Sequence, residues 1–441
     1  MTADRELLRR AQEILQGNDV GGAYTKPSPR LYPHQWNWDS AFAALGWARI
    51  DWSRAIREIE TLLLGQWTNG MVPHIRYNPE VTDYAPGPEW WPGVPVRRAG
   101  QITSGISQPC VLGSASYRIG LLAPDASSRQ AWWAKVHEAL VDALLYFLRH
   151  RTAGGNPLIV VVHPWESGLD NSPRWDFATG KGYRPSRPYR RVDTTIVDPL
   201  LRPTGKDYDL YMYLVELLAD VRYDLAAYLQ RTPFAVYDAL FNAVWYRSAL
   251  DLNRIAAALG RPPAVDPARL AAFRDAYRRT LWEESAGLFR DWDLRAGRSI
   301  PVDTIAGLTA IYAGLVDRGQ AAQMLAGYRR RCRGCLLLPS VPPDQAGFDP
   351  ARYWRGPVWV NTNWMVIQGL RDLALHREAD ELTQQTLTLV RSAGFHEYFH
   401  AHDGRGLGGG EFTWSAALVI DLLHPAVGAG REAEGGADRL R

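Results

Sequence analysis

Two short stretches carry side chains able to do acid–base chemistry. The first, His163-Pro-Trp-Glu-Ser-Gly-Leu-Asp-Asn-Ser-Pro-Arg-Trp175, holds two acids, an arginine and two tryptophans among turn-forming glycine and proline. The second places Glu397 between His396 and His400 and runs into Asp403-Gly-Arg-Gly-Leu-Gly-Gly-Gly-Glu411. His-Glu-x-x-His is a zinc-protease pattern when a helical turn stacks both imidazoles on one face. Glycine costs about 1 kcal/mol per helical position relative to alanine, so Gly394 and the run after Asp403 make this stretch a loop. No later histidine stands in a recognisable third-ligand context. A zinc metallopeptidase is therefore a remote alternative, and neither metal nor cofactor is expected. The other chemistry open to such residues is glycoside hydrolysis, in which one protonated and one ionised carboxyl group face each other across a sugar. Glu166 competes with Asp170 for the first role. Glu411 competes with Glu397 for the second, although an acid just before a helix at Thr413 can simply complement its N-terminus.

Composition narrows the classes. With 441 residues, 46% hydrophobic and 22% charged, the chain has the balance of a soluble globular protein with a large core. Its net charge of +3 is spread along the sequence, so nucleic acid is not implied. No apolar run approaches the eighteen or so residues of a membrane helix, and no opening segment reads as a signal peptide. Cys110, Cys332 and Cys335 fit a reducing cytoplasm better than a disulfide framework. Cys332-Arg-Gly-Cys335 has no second pair and reads as structural. Oligomeric state is not readable; a homo-oligomer is compatible with the chain. The excess is aromatic: 18 Trp and 20 Tyr, many in runs such as Glu89-Trp-Trp-Pro-Gly93 that suit a pocket wall.

The elements that must position these residues are helical. Periodicity predicts helices near 3–16, 39–50, 53–67, 104–120, 127–151, 207–230, 235–258, 266–282, 303–316, 319–330, 357–375, 377–393 and 413–424, with one clear strand at Leu158–Val162. Long irregular segments precede the helices starting near 39, 104, 207, 303, 357 and 413, and mostly short links follow them. The 231–302 region holds an extra helix. Six helical hairpins in a ring give an all-α (α/α)6 barrel with its long loops at one mouth. The chain reads as a single catalytic domain, 1–441, with a loop insertion at 152–206 and about fifteen mobile residues at the end. The loops at 152–206 and 395–412 precede the third and sixth inner helices, which lie opposite each other.

Four segments in order carry a family resemblance. Trp165-Glu-Ser-Gly-Leu-Asp170 with Arg174-Trp175 resembles the acid-bearing motif of glycoside hydrolase family 63 and the related trehalases. Tyr32-Pro-His-Gln-Trp-Asn-Trp-Asp39-Ser, Tyr353-Trp-Arg-Gly-Pro-Val-Trp359-Val-Asn361 and the Phe395 to Ala417 segment resemble its other motifs. The resemblance implies an inverting α-glycosidase with Asp170 as general acid and Glu397 as general base. Asp39 would hold hydroxyls at the non-reducing end, although alone it reads equally as a helix N-cap. Tyr353, Trp354 and Trp359 would line the sugar subsite. Tyr32, Trp36, Tyr84, Gln108, Trp165 and Tyr211 complete the expected substrate contacts.

The chain is similar to the short prokaryotic branch of that family, which implies hydrolysis of mannosylglycerate, and possibly glucosylglycerate, to sugar and glycerate. The alternatives are an α-glucosidase on a small disaccharide such as trehalose or kojibiose, and a catalytically silent sugar-binding toroid. A glycerate carboxylate needs a cation or hydroxyl donors. Arg30, His34, His74, Arg76, Arg98, Lys181, Arg190 and Lys206 all sit in predicted mouth loops, and the sequence does not choose among them. The mannose–glucose preference is equally open.

Overall fold

A computed structural model describes residues 2–424; the predicted tail lies outside them. Among the described residues six inner helices make the ring: α2 (Asn37–Trp47), α4 (Leu112–Leu121), α8 (Ala239–Ala258), α10 (Thr309–Ala313), α12 (Val360–Asp372) and α14 (Thr413–Leu423). Each packs on the next, and α14 returns to α2. Outside them lie α3 (Trp52–Leu63), α5 (Ala126–His150), α9 (Pro267–Leu281), α11 (Arg318–Arg331), α13 (His376–Ala393) and α1 (Thr2–Gly17), the last packed on α14. This is an (α/α)6 barrel.

The two layers follow from sequence. Helix α2 is buried on every face and α12 and α14 on nearly every face, as members of the inner layer, although α2 and α12 also bury polar side chains such as Asp39 and Asn363. The α2–α14 contact requires a residue without a side chain: a Cβ at Gly46 would lie 2.5 Å from Ala417 Cα. Outer helices α3, α5, α9 and α11 start with capping aspartates, Asp51, Asp125, Asp266 and Asp317. Inner helices α2, α12 and α14 instead follow Trp36, Trp359 and Phe412, which make no capping bond. Trp36 and Phe412 line the cavity and Trp359 lies beneath it, at positions where a cap would have stabilised the helix by about 1 kcal/mol.

One expectation is corrected. The third inner helix is α8, not the helix near 207. Helices α6 (Gly205–Asp220) and α7 (Leu225–Arg231) belong to the segment between α5 and α8. Both regions have helical periodicity, but only α8 packs against α4 and α10, and burial of nearly its whole surface makes it a ring member. The segment is tied down by a five-stranded antiparallel sheet ordered β5 (Arg298–Ser299), β4 (Trp292–Asp293), β3 (Val236–Tyr237), β2 (Asn156–Val161) and β1 (Thr152–Ala153). Four of these strands span two residues, too short for any period-two signal. The second inner helix starts at Leu112, so Gln108 lies in the loop before it. Among the described residues no helix is long and apolar enough to cross a membrane.

Candidate active site

The inner-helix N-termini and the long loops enclose about 750 Å³ of empty space, mouth included. Asp170 reaches it from the insertion, just beyond the 3-10 turn Pro164–Ser167. That turn ends at Gly168 with φ of 75°, where a Cβ would lie 2.6 Å from the Trp38 ring. Tyr211 Oη donates to the Asp170 carbonyl at 2.8 Å. His163 Nε2 lies 3.0 Å from the Tyr211 carbonyl, while its Nδ1 accepts from the Trp165 N–H at 3.0 Å. Neither Asp170 carboxyl oxygen has a side-chain hydrogen bond among the described residues. Burial pushes this carboxyl up to about 7, the Glu397 charge adds to the rise, and Arg202 opposes it.

Glu397 comes from the other side, on strand β6 (His396–Phe399), which pairs antiparallel with β7 (Gly406–Gly410). The strand settles the His-Glu-x-x-His question. Four extended residues separate His396 and His400 by about 13 Å, so the helical zinc face never forms. The glycines have another purpose: at Gly408, φ 71°, a Cβ would run into Glu397 Oε2. In the space so left, the Gly409 N–H donates to Oε2 at 3.0 Å and Tyr32 Oη to Oε1 at 2.8 Å. Arg202 Nη1 lies 3.4 Å from both oxygens.

The remaining expected residues divide by depth. Tyr32, Trp36, Asp39, Tyr84, Gln108, Trp165, Tyr353 and Trp354 line the cavity with the two acids. Asp39 lies in the first turn of α2, whose N-cap is Trp36, so the capping role is excluded. Burial pushes its carboxyl well up, and Glu397 adds to this. Tyr353 sits at φ 41°, a strained conformation for a residue with a side chain. Tyr211 and Trp359 do not reach the cavity surface. Tyr211 supports Asp170 from behind, and Trp359 stacks under Trp354 with ring centroids 3.6 Å apart and planes 4° apart.

Sequence reasoning missed Arg202 and Tyr208, which also line the cavity. Arg30, Arg98, Lys181, Arg190 and Lys206 are exposed, and Arg76 is bound to Gln101 at 2.6 Å. His34 stays behind the wall, edge-on to Tyr84. His74 does line the cavity, but burial pushes it down to about 3, so it is neutral. Among the described residues Arg202 is therefore the cavity's cation. No motif marks it in Asp198-Pro-Leu-Leu-Arg-Pro203; only the fold of the insertion brings it to Glu397.

A sequence profile described as "Mannosylglycerate hydrolase MGH1-like glycoside hydrolase domain" matches residues 32–415. The chain belongs to this family. It is a glycosidase. A mannosylglycerate hydrolase of Thermus thermophilus is 39% identical over 416 residues, 93% of this chain and 99% of that protein. A glucosylglycerate hydrolase of Mycolicibacterium hassiacum is 34% identical over 442 residues, 95% and 98% of the two chains. The crystal structure of a GH63 mannosylglycerate hydrolase from Thermus thermophilus in complex with Tris and D-glycerate gives a TM-score of 0.88 at 39% identity, covering 94% of this chain and 99% of that one.

Within this glycoside hydrolase fold the rival acids lie elsewhere. Glu411 is exposed and faces a groove beside α1. Glu166 is fully buried, accepting from Arg151 Nη1 at 2.8 Å and from the Ser107 and Val162 N–H groups at 3.1 and 3.0 Å. Arg174 pairs with Asp238 and Asp291 at 3.0 and 2.6 Å, not with Asp170. Glu166→Ala is expected to destabilise the protein by about 3–5 kcal/mol, because it strands the Arg151 charge in the interior. Urea unfolding measures the loss, while turnover per folded molecule stays within a few-fold of the parent.

Proposed function

We propose that the protein hydrolyses mannosylglycerate, and its glucosyl analogue, with inversion at the anomeric carbon. One observation carries the reading: a protonatable carboxyl, Asp170, and a donor-bound carboxylate, Glu397, enter one cavity from the insertion and from strand β6, beside the Arg202 cation. Asp170 hands its proton to the glycosidic oxygen as the bond to glycerate breaks. Glu397 takes a proton from a water attacking the opposite face of the ring, a geometry that needs about 6.5–9.5 Å between the carboxyl groups. Tyr32 and the Gly409 N–H orient that base. Asp39 accepts from sugar hydroxyls. The side-chain oxygen of Gln108 already accepts from the Trp38 N–H at 3.1 Å, leaving its amide N–H groups for the sugar. Trp36, Trp165, Tyr353 and Trp354 supply apolar faces, with Trp359 and Tyr211 behind them as supports. Arg202 receives the glycerate carboxylate, with the Tyr84 and Tyr208 hydroxyls beside it. The scheme uses protein groups alone and calls on no cofactor.

The names of the relatives and the D-glycerate held by the Thermus structure support this reading. A neutral disaccharide such as trehalose or kojibiose brings no charge to meet the cavity's cation, which favours the charged substrates. The same reading puts the enzyme in the reducing cytoplasm, with which three free cysteines agree. Incubation with mannosylglycerate, glucosylglycerate and trehalose in parallel tests it. Sugar release from either glycerate substrate at a kcat/KM at least about 100-fold above trehalose is expected, the worth of one charge-assisted contact or more. Faster release from trehalose would overturn the assignment.

A further inference from the structure

We propose that Arg202 links recognition of the substrate's carboxylate to the strength of Glu397 as a base, with Asp193 as the positioning residue that holds the guanidinium between them. The inference rests on the reading just given and goes beyond it, because it makes the aglycone's charge act on kcat as well as on binding.

The bond lengths set the argument. Asp193 is gripped by Arg191, whose Nε and Nη2 donate at 3.0 and 2.7 Å while its guanidinium lies 3.7 Å over the Tyr208 ring. Asp193 in turn accepts from Arg202 Nε at 3.2 Å. Arg202 Nη2 donates to Tyr32 Oη at 2.9 Å, and the guanidinium carbon stands 4.2 Å over the Tyr353 ring. Its contact with Glu397 is slack by comparison: 3.4 Å to each oxygen, where charge-assisted N–H···O bonds run about 2.7–2.9 Å. Tyr32 on Nη2 and Asp193 on Nε together hold Arg202 at this stand-off from Glu397, with the cation lining the cavity.

Arg202 and the Glu397 carboxylate attract each other across this gap, an attraction that is lost when Glu397 takes a proton from water. A docked carboxylate quenches that cation, and the proton affinity of Glu397 rises when a water molecule must give up a proton. A neutral aglycone leaves Arg202 opposed to the base. The other groups around Glu397 are Tyr32, Tyr353 and Tyr398, phenols that burial keeps protonated, and the acids Asp39 and Asp170. Burial pushes both of those acids up, so they do not account for an acid limb at low pH.

The test compares mannosylglycerate with mannosylglycerol, in which a hydroxymethyl group replaces the carboxylate, on the full-length enzyme between pH about 4 and 8. The glycerate carboxyl titrates near 3.5, about that of an α-carboxyl group, and below this window. The profile of kcat/KM reports the free enzyme and that of kcat the complex. For mannosylglycerate the acid limb of kcat is expected about one pH unit above that of kcat/KM; for mannosylglycerol the two coincide. In Arg202→Gln the gap closes on the residual activity, since no cation remains to be quenched. In Asp193→Asn the acid limb of kcat/KM moves to lower pH, because the charge offsetting Arg202 is gone.

Coincident limbs for mannosylglycerate in the parent enzyme overturn the inference and leave the proposed function standing. A gap that persists in Arg202→Gln also overturns it, because the carboxylate would then act on Glu397 directly. An Asp193→Asn enzyme with unmoved limbs reduces Asp193 to a structural role and removes it from the account. No hydrolysis of mannosylglycerate at all overturns both readings.

Discussion

Asp170→Asn is expected to lower kcat on mannosylglycerate by about 10³- to 10⁴-fold, near the upper range for loss of a general acid. The leaving group is an alkoxide, so the proton must arrive as the bond breaks. KM should move by only a few-fold, because an acid that acts in the transition state contributes little to ground-state binding. The pH profile supplies a second signature. Asp170 is pushed up to about 7 by burial, with Glu397 adding to the rise. An acid works only while protonated, so activity should fall as pH rises through the neutral range. Substitution by Asn should abolish that alkaline limb in whatever activity remains. An alkaline limb unchanged in the Asn variant would assign the proton to another group.

Glu397→Gln is expected to cost a similar factor for a different reason. The amide matches the carboxylate in shape and can still accept from Tyr32 and the Gly409 N–H, so the β6–β7 hairpin should hold its geometry. What it lacks is a lone pair basic enough to take a proton from water. kcat should fall by about 10³-fold or more with substrate still bound, and isothermal titration of the inactive variant with mannosylglycerate measures the affinity directly. A few-fold loss of kcat would show that the attacking water is activated elsewhere in the cavity.

Much of this site was legible in the sequence because its parts are local. Helical periodicity revealed the ring helices, and four short motifs located both carboxyl groups and most of the aromatic wall. The glycine run after Asp403 already argued against a helical metal site. Its positive purpose, room and an N–H for Glu397, needed the strand pairing that sets Gly408 against that carboxylate. Depth was the weakest inference. Tyr211 and Trp359 have the residue types of ligand contacts, but one supports a backbone carbonyl and the other stacks beneath Trp354. Periodicity reports which face of an element is apolar, not how many layers cover it. Arg202 was invisible for another reason. Its meaning comes from Tyr32, Asp193 and Glu397, and the first and last of these stand 170 and 195 positions away along the chain. Misplacing the third inner helix had no consequence for the acids, because the segment bearing Asp170 precedes α8 just as it would have preceded the helix near 207.

The central claim is that Asp170 and Glu397 act on opposite faces of one pyranose, with a water between the ring and the base. Proton NMR of the first minutes of mannosylglycerate hydrolysis tests it most directly, since the anomer released is seen before mutarotation mixes the two. The account predicts β-mannose appearing first from the α-linked substrate, with α-mannose growing in only at the spontaneous rate. Initial release of α-mannose would contradict it, because retention requires a covalent intermediate and carboxyl groups about 5–5.5 Å apart.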